Sequence, residues 1–408
     1  MQYEIRGTGS IHAKIKLPAS KSISNRALIL NALSMSPYPI ENLSDCDDTK
    51  VMIDTFNSED NLFDVKAAGT SMRFLTAFLS RVPGEWIITG TERMKDRPIH
   101  ILVDALNSLG ARIEYLGKPG FPPLRITGSV LTGGEIYLSG DVSSQFISAL
   151  LMIAPTMEEG LIIHLEGEIV SIPYIKLTLR MMKEYGVDTS WEGNTITIRQ
   201  QEYKPVRYVV ESDWSAASYW YEIASLCDEA EIELDGLSMD SGQGDAKVAE
   251  LFMDLGISTE FTEKGIVLKK TNRVAKKIFH NFIDEPDLAQ TFVVTCCMKN
   301  IPFLFTGLQS LKIKETDRIE ALKKEMKKLG YLIYDSEDSI LEWNGERCNA
   351  EENPVVSTYH DHRMAMAFAP AAIKNNGICI DDPMVITKSY PSFWEDLKKT
   401  GFQIEQIN

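Results

Sequence analysis

Five amphipathic segments of this chain each close on a glycine, at Gly110, Gly186, Gly256, Gly330 and Gly401. They recur at intervals of about 70 residues. A glycine there suits the left-handed residue that ends a helix, and a short strand is expected after each one. A sixth, degenerate copy runs from Asp48 to Phe56 without the glycine. Each segment follows a more apolar one, and these begin near Ser20, Gly69, Ser143, Asp213, Asp287 and Asp361. A helix apolar on nearly all sides belongs inside, and a striped one on the surface. Alternating runs such as Thr195-Ile196-Thr197-Ile198 read as strands between them. One unit, with two helices and several short strands, is therefore expected six times in an α/β chain.

Six units divide into two sets of three, and the break falls near Arg207 to Glu211. We expect a first domain over 20–210 and a second over 1–19 plus 211–408. A first strand, Tyr3 to Ile15, should pair with the last set, so that the chain crosses twice between domains.

Polar residues interrupt the apolar pattern at the starts of the buried helices. The first start is Leu17-Pro18-Ala19-Ser20-Lys21-Ser22-Ile23-Ser24-Asn25-Arg26-Ala27, where Ser20 or Ser22 can cap. Helix N-termini carry partial positive charge and favour acidic side chains, yet Lys21 and Arg26 stand here. Hydroxyls, open N–H groups and two cations together suit a multiply charged anion such as phosphate. Further along come Gly69-Thr70-Ser71-Met72-Arg73, Ser143-Ser144-Gln145, Asp287, Asp361-His362-Arg363 and Lys388. Capping explains Ser143, Asp213, Asp287 and Asp361. It does not explain Lys21, Arg73 or Arg363, which oppose the dipole. If the buried helices of each domain run parallel, their N-termini gather on one face, and two such faces across a hinge make a positive cleft.

The net charge of −16 makes local cations informative and argues against a general nucleic-acid or anionic-membrane surface. No apolar run is long enough to cross a bilayer. The stretch from Met1 to Arg6 lacks a signal-peptide core, which predicts a cytoplasmic protein. None of the six cysteines forms a Cys-x-x-Cys pair, and Cys296 and Cys297 read as small core residues. His360-Asp361-His362 has no third clustered ligand and reads as an active-site loop rather than a metal site. Gly242-Gln243-Gly244 reads as a helix-entry loop.

Six stretches together carry a resemblance. They are Leu17 to Ala27, Ala68-Gly69-Thr70-Ser71-Met72-Arg73, Arg93-Met94-Lys95-Asp96-Arg97-Pro98-Ile99, Val142-Ser143-Ser144-Gln145-Phe146, Lys314-Glu315-Thr316-Asp317-Arg318 and Asp361-His362-Arg363-Met364-Ala365-Met366. The chain resembles the 5-enolpyruvylshikimate-3-phosphate synthase family, in order and with family spacing from about Gly7 to Trp394. The resemblance implies a two-domain inverse α/β barrel, each domain of three βαβαββ units, with buried helices aiming their N-termini at the interdomain cleft. It implies transfer of the enolpyruvyl group of phosphoenolpyruvate to the 5-hydroxyl of shikimate-3-phosphate, through a tetrahedral intermediate. No cofactor or metal is implied, and the expected partners are the two small substrates of a monomer.

Residue by residue, the resemblance assigns Ser22, Arg26, Ser143, Ser144, Gln145, Ser171, Tyr174 and Lys314 to shikimate-3-phosphate. Lys21, Gly69, Arg97, Gln145, Glu315, Arg318, Arg363 and Lys388 go to phosphoenolpyruvate, with Lys21 also catalytic and in reach of both substrates. Asp287 matches the proton acceptor facing the 5-hydroxyl, Glu315 the acid that protonates the methylene carbon, and His362 lies near it. Two carboxyl groups in opposite protonation states suit addition followed by elimination, and donation needs a raised Glu pKa. Three positions depart from the family pattern: Ala67 and Ser310 replace Asn, and Phe74 replaces Pro. Ser310 stands at a shikimate-3-phosphate position. A sister reaction on UDP-N-acetylglucosamine uses a Cys in the loop matching Arg93–Arg97, and none stands there. A non-catalytic anion-binding scaffold would not need Asp287 and Glu315 beside the cations.

Overall fold

The computed structural model describes residues 1–375 and 377–407. The chain forms two compact units, Ala19–Val210 and Met1–Pro18 together with Glu211–Asn408. Each has its own apolar core.

In the unit Ala19–Val210, the helices Lys21–Leu33, Gly69–Arg81 and Ser144–Ile153 pack on one another. They are buried on most sides, as their apolar composition requires. One sheet runs Leu62–Asp64, Gly84–Thr89, Leu124–Gly128, Arg112–Tyr115; another runs Gly134–Ser139, Leu161–Glu166, Thr195–Ile198, Ser190–Glu192. In both, the first two strands are parallel and the remainder antiparallel. A parallel pair needs a crossover, which the buried helix supplies, and the hairpin follows the surface helix. That is the βαβαββ unit. The first unit is reduced: Ile40–Glu41 pairs in parallel only with Tyr208–Val209. Helix Asp47–Asn57 is followed at once by the next unit's strand at Leu62, which leaves no room for a hairpin.

The other unit holds three four-stranded sheets of the same pattern among the described residues. Ser10–Lys16 lies parallel to Glu229–Asp235, and helix Trp214–Leu226 is their crossover. The chain leaves this crossover after Pro18 and returns at Glu211, and the Asp213 amide donates to the Pro18 carbonyl at 2.9 Å. Helices Trp214–Leu226, Ala289–Met298 and His362–Phe368 form the packed centre. Cys296 and Cys297 are core residues there, and burial pushes both thiols up.

Two expectations need correction. The segment Tyr3 to Ile15 is two strands in different sheets, not one. Gln2–Arg6 sits between Ile378–Asp381 and Gln403–Ile407, whereas Ser10–Lys16 joins Glu229–Asp235. The break is at Gly7, where a Cβ would come within 2.6 Å of the Ile373 backbone, so only glycine lets the chain pass. The segment ending at Gly256 is a succession of short turns, Gly244–Lys247, Val248–Leu251 and Phe252–Leu255, rather than one helix. All five closing glycines have positive φ, from +81° at Gly186 to +102° at Gly110.

Gly128 ends the third strand of its sheet against the Val82 carbonyl, which an added Cβ would meet at 1.7 Å. A backbone atom cannot yield as a side chain can. Gly128→Ala is expected to lower the thermal midpoint by about 4 °C or more. An unchanged midpoint in calorimetry would contradict this account of the packing.

Candidate active site

In the unit Ala19–Val210, Ser20 is the cap of the first buried helix, with its Oγ accepting from the Ile23 amide at 3.4 Å. Lys21 then opens the helix, 3.8 Å from the buried carboxylate of Asp48, which lies in the first turn of Asp47–Asn57. One turn on, Arg26 is 2% exposed. Its Nε donates to Thr178 Oγ1 at 2.7 Å, Nη1 to the Ser22 carbonyl at 3.0 Å, and Nη2 to Ser148 Oγ and the Tyr174 carbonyl at 3.1 and 3.3 Å. The Phe74 ring lies beneath it, 5.3 Å from the guanidinium carbon. Every one of these partners is neutral. Burial pushes the guanidinium down to about 10, which still leaves it charged at neutral pH. A solvated surface cation is excluded; this one is fixed in place with its charge uncompensated by its hydrogen-bond partners.

Other helix starts lie around the same end. The Gln145 side-chain Nε2 donates to Thr70 Oγ1 at 3.2 Å, joining the starts of Ser144–Ile153 and Gly69–Arg81. Ser143 caps the former through the Gln145 amide, and Ser144 is buried in its first turn. The Arg97 guanidinium lies over Gly69, where a Cβ would meet Nη1 at 2.5 Å. Arg97 Nε is buried without a hydrogen-bond partner among the described residues. Arg73 folds back onto the Gly69 and Pro98 carbonyls. Ser171 precedes helix Ile172–Glu184 in a left-handed conformation, with φ +55°. Positive helix ends and cations on one side of a unit form a site for anions.

The other unit concentrates opposite charges. Arg318, 1% exposed, opens helix Arg318–Lys328. Its Nε donates to Asp361 Oδ2 at 2.7 Å, Nη1 to Asp287 Oδ1 at 3.1 Å, and Nη2 to Glu315 Oε2 at 3.0 Å. Burial opposes its charge, but Asp361, Glu315 and Asp287 outweigh burial and raise its pKa. Arg363 Nη2 donates to Asp287 Oδ2 at 2.7 Å, and Nη1 to the Tyr219 hydroxyl at 3.4 Å. Lys388 Nζ is 2.7 Å from Glu315 Oε1, and Lys314 Nζ is 4.0 Å from Asp287 Oδ1. Burial pushes the Lys314 ammonium down. Thus Asp287 and Glu315, two carboxylates of one cluster, are each clamped between cations.

The structure corrects one role. Asp287 does not cap: it lies within the turn Pro286–Leu288, whose preceding residue is Glu285 and which has no side-chain cap. Two guanidinium groups offer its carboxylate stronger, charge-assisted bonds than a backbone amide would. Asp361 does cap, accepting from the Arg363 amide at 2.9 Å, and also holds Arg318. His362 is buried beside it, with Nδ1 3.8 Å from Asp361 Oδ1, while His360 is exposed and bonded to Asp382. Ser310 lies half-buried in the turn Gln309–Ile313, ahead of Lys314. Sequence reasoning missed Thr178, Ser148 and Asp48; none stands in a motif, and only the folded contacts reveal them.

The family model described as EPSP synthase (3-phosphoshikimate 1-carboxyvinyltransferase) matches residues 5–58 and 52–397. The 3-phosphoshikimate 1-carboxyvinyltransferase of Bacteroides fragilis strain YCH46 is 59% identical over 406 residues, covering 99% of both chains. That of Methanospirillum hungatei JF-1 is 34% identical over 428 residues, covering 98% of both. Among solved structures, EPSP synthase from Acinetobacter baumannii aligns with a TM-score of 0.81 at 21% identity, covering 99% of this chain and 100% of that one. The enolpyruvyl transferase NikO from Streptomyces tendae aligns at 0.76 and 16% identity, covering 99% and 98%. At these identities the solved structures show the fold.

Replacing Arg318 by Met leaves the buried Asp361 carboxylate without its guanidinium partner and takes one of their cations from Asp287 and Glu315. Arg318→Met is expected to cost about 3–5 kcal/mol of unfolding free energy in denaturant titration. A loss below about 1 kcal/mol would mean that the cluster is solvated, contrary to its burial.

Proposed function

This chain belongs to the EPSP synthase (3-phosphoshikimate 1-carboxyvinyltransferase) family, and we propose how its residues divide the work of that reaction. The enzyme transfers the enolpyruvyl group of phosphoenolpyruvate to the 5-hydroxyl of shikimate-3-phosphate and releases phosphate. The observation that carries the assignment of roles is the pairing of Asp287 and Glu315 with Lys314, Arg318, Arg363 and Lys388.

Asp287 accepts the proton of the 5-hydroxyl as its oxygen bonds to the central carbon of phosphoenolpyruvate. Glu315 gives a proton to the methylene carbon in the same step. The tetrahedral ketal phosphate then loses inorganic phosphate, which takes the proton held by Asp287, and the new methyl group returns a proton to Glu315, leaving the enol ether. The cations serve twice. Unliganded, they neutralise the two carboxylates. As the anionic groups of phosphoenolpyruvate take Arg318, Arg363 and Lys388, with Lys21, Gly69, Arg97 and Gln145 contributing, the carboxylates lose cationic partners. Their affinity for protons rises when protons must move. This supplies the condition that donation by Glu315 requires, without a metal ion.

Shikimate-3-phosphate is assigned to Lys21, Ser22, Arg26, Ser143, Ser144, Gln145, Ser171, Tyr174, Asp287, Ser310 and Lys314. Arg26 supports this reading best, because a buried guanidinium bonded to neutral groups keeps its charge for a phosphate. His362, buried next to Asp361, is assigned to the catalytic set with Asp287, Glu315 and Lys21. No helix among the described residues is long and apolar enough to cross a membrane. A cytoplasmic monomer acting on these two small substrates belongs to the same proposal.

Phosphate release from phosphoenolpyruvate that depends on shikimate-3-phosphate tests the reaction; dependence on UDP-N-acetylglucosamine instead would replace it with the sister activity. Asp287→Ala is expected to lower kcat about 10²–10⁴-fold while calorimetric binding of shikimate-3-phosphate stays nearly intact. Persisting turnover would remove Asp287 as the base. Ala67 is exposed two residues before Gly69, and Phe74 is buried under Arg26. From these departures we expect weakened inhibition by glyphosate or a raised KM for phosphoenolpyruvate. Ordinary values of both for the family would remove that expectation.

A further inference from the structure

Asp245 has no role in the assignments above. It follows Gly242-Gln243-Gly244, stands in the turn Gly244–Lys247, and is 4% exposed. Its Oδ2 accepts a hydrogen bond from Ser215 Oγ. Its Oδ1 is buried without a hydrogen-bond partner among the described residues. Ser215 lies in the first turn of Trp214–Leu226, and its Oγ also accepts from Arg363 Nη2 at 3.4 Å. The same nitrogen donates to Asp287 Oδ2 at 2.7 Å. A continuous chain of contacts therefore links Asp245, Ser215, Arg363 and Asp287.

We propose that Asp245 is a positioning residue of the enolpyruvyl transfer, holding Arg363, and through it Asp287, by way of the Ser215 hydroxyl. The proposal rests on the roles given above to Asp287 and Arg363. Ser215 alone would hold Arg363 loosely, since a hydroxyl rotates; the carboxylate fixes the direction of its proton and turns a lone pair toward the guanidinium. Asp245 touches neither substrate in this scheme and acts through its neighbours.

Asp287 and Arg363 face Asp245 from their own helix starts, Ser215 bonds it, and Asp213 approaches from the cap of the Ser215 helix. Beyond them, Arg318 and Lys314 hold the far side of Asp287. Lys247, on the same turn, is committed to Glu250. Burial pushes the Asp245 carboxyl up to about 7; Asp287 and Asp213 push it the same way, while Arg363 and the Ser215 hydrogen bond pull it down. The carboxyl is thus neutral below that pH and anionic above it. Ionisation adds a negative charge beside Arg363, where phosphoenolpyruvate brings its own. Binding of that substrate should therefore weaken as pH rises through neutrality, over and above any titration of the substrate itself.

The test measures KM for phosphoenolpyruvate and kcat in the phosphate-release assay from about pH 6 to about pH 8. Substrate titration is common to every variant, so the informative quantity is the difference between profiles. Asp245→Asn keeps the shape of the neutral acid and cannot ionise. Its KM is expected to rise about fivefold less over that range than that of the unaltered enzyme. Ser215→Ala cuts the chain between Asp245 and Arg363 and should lower kcat/KM about tenfold. Coincident profiles for Asp245→Asn and the unaltered enzyme would overturn the proposal, as would Ser215→Ala with full kcat/KM. Failure of the unaltered enzyme to release phosphate would overturn the underlying reaction instead.

Discussion

Arg318 reaches Asp287, Glu315 and Asp361 from a position almost sealed from solvent. A buried cation is tolerable only where opposite charge meets it with good geometry, and here each edge of the planar guanidinium is used. The arrangement reaches well beyond one pair. Asp361 is also the cap of the helix that carries His362 and Arg363, so the ion cluster and the helix start depend on one carboxylate. Asp287 joins Arg318 to Arg363, and Glu315 joins it to Lys388. In the proposed division of roles, the two acidic groups are thereby held by the same cations that are assigned to the anionic substrate. Under that proposal, substrate binding exchanges partners within the cluster rather than creating new charge.

In the unit Ala19–Val210, Arg26 is held differently. Arg26 is just as deeply buried, but its partners are two hydroxyls and two carbonyls, and an aromatic face lies below it. Dipoles orient the guanidinium without neutralising it. Arg318 is a compensated charge, whereas Arg26 is not compensated by its hydrogen-bond partners. A ligand with a phosphate should gain more from the second kind, because it displaces no ion pair.

Much of this was legible in the sequence. A period of about 70 residues survives because every unit must bury one helix and end another on a left-handed residue. Helix starts stood out because Lys21, Arg73 and Arg363 contradict the dipole there, and chemistry is the usual reason for such a contradiction. What stayed hidden depends on distant contacts. Nothing near Asp287 says whether its carboxylate faces a backbone amide or guanidinium groups 31 and 76 residues further on. Alternation continues from Tyr3 to Ile15, so periodicity alone could not show that Gly7 breaks it into two sheets. Asp245 follows a Gly-Gln-Gly loop that looks like any helix entry, and its meaning comes from Ser215, thirty residues earlier.

The placement of Gln2–Arg6 has a consequence for how the protein is made. This strand lies between Ile378–Asp381 and Gln403–Ile407, and Ser10–Lys16 awaits Glu229–Asp235 across an entire unit. On the ribosome, these two strands emerge before their partners exist, while the described strands of Ala19–Val210 have their sheet partners within its own span. The inner unit can therefore acquire its structure while the outer one is still incomplete. Until the last strand is translated, an unpaired edge near the N-terminus remains open to the solvent and to other nascent chains. The order of synthesis and the order of assembly are thus opposed in this sheet, because Gln2–Arg6 is made long before either of its neighbours.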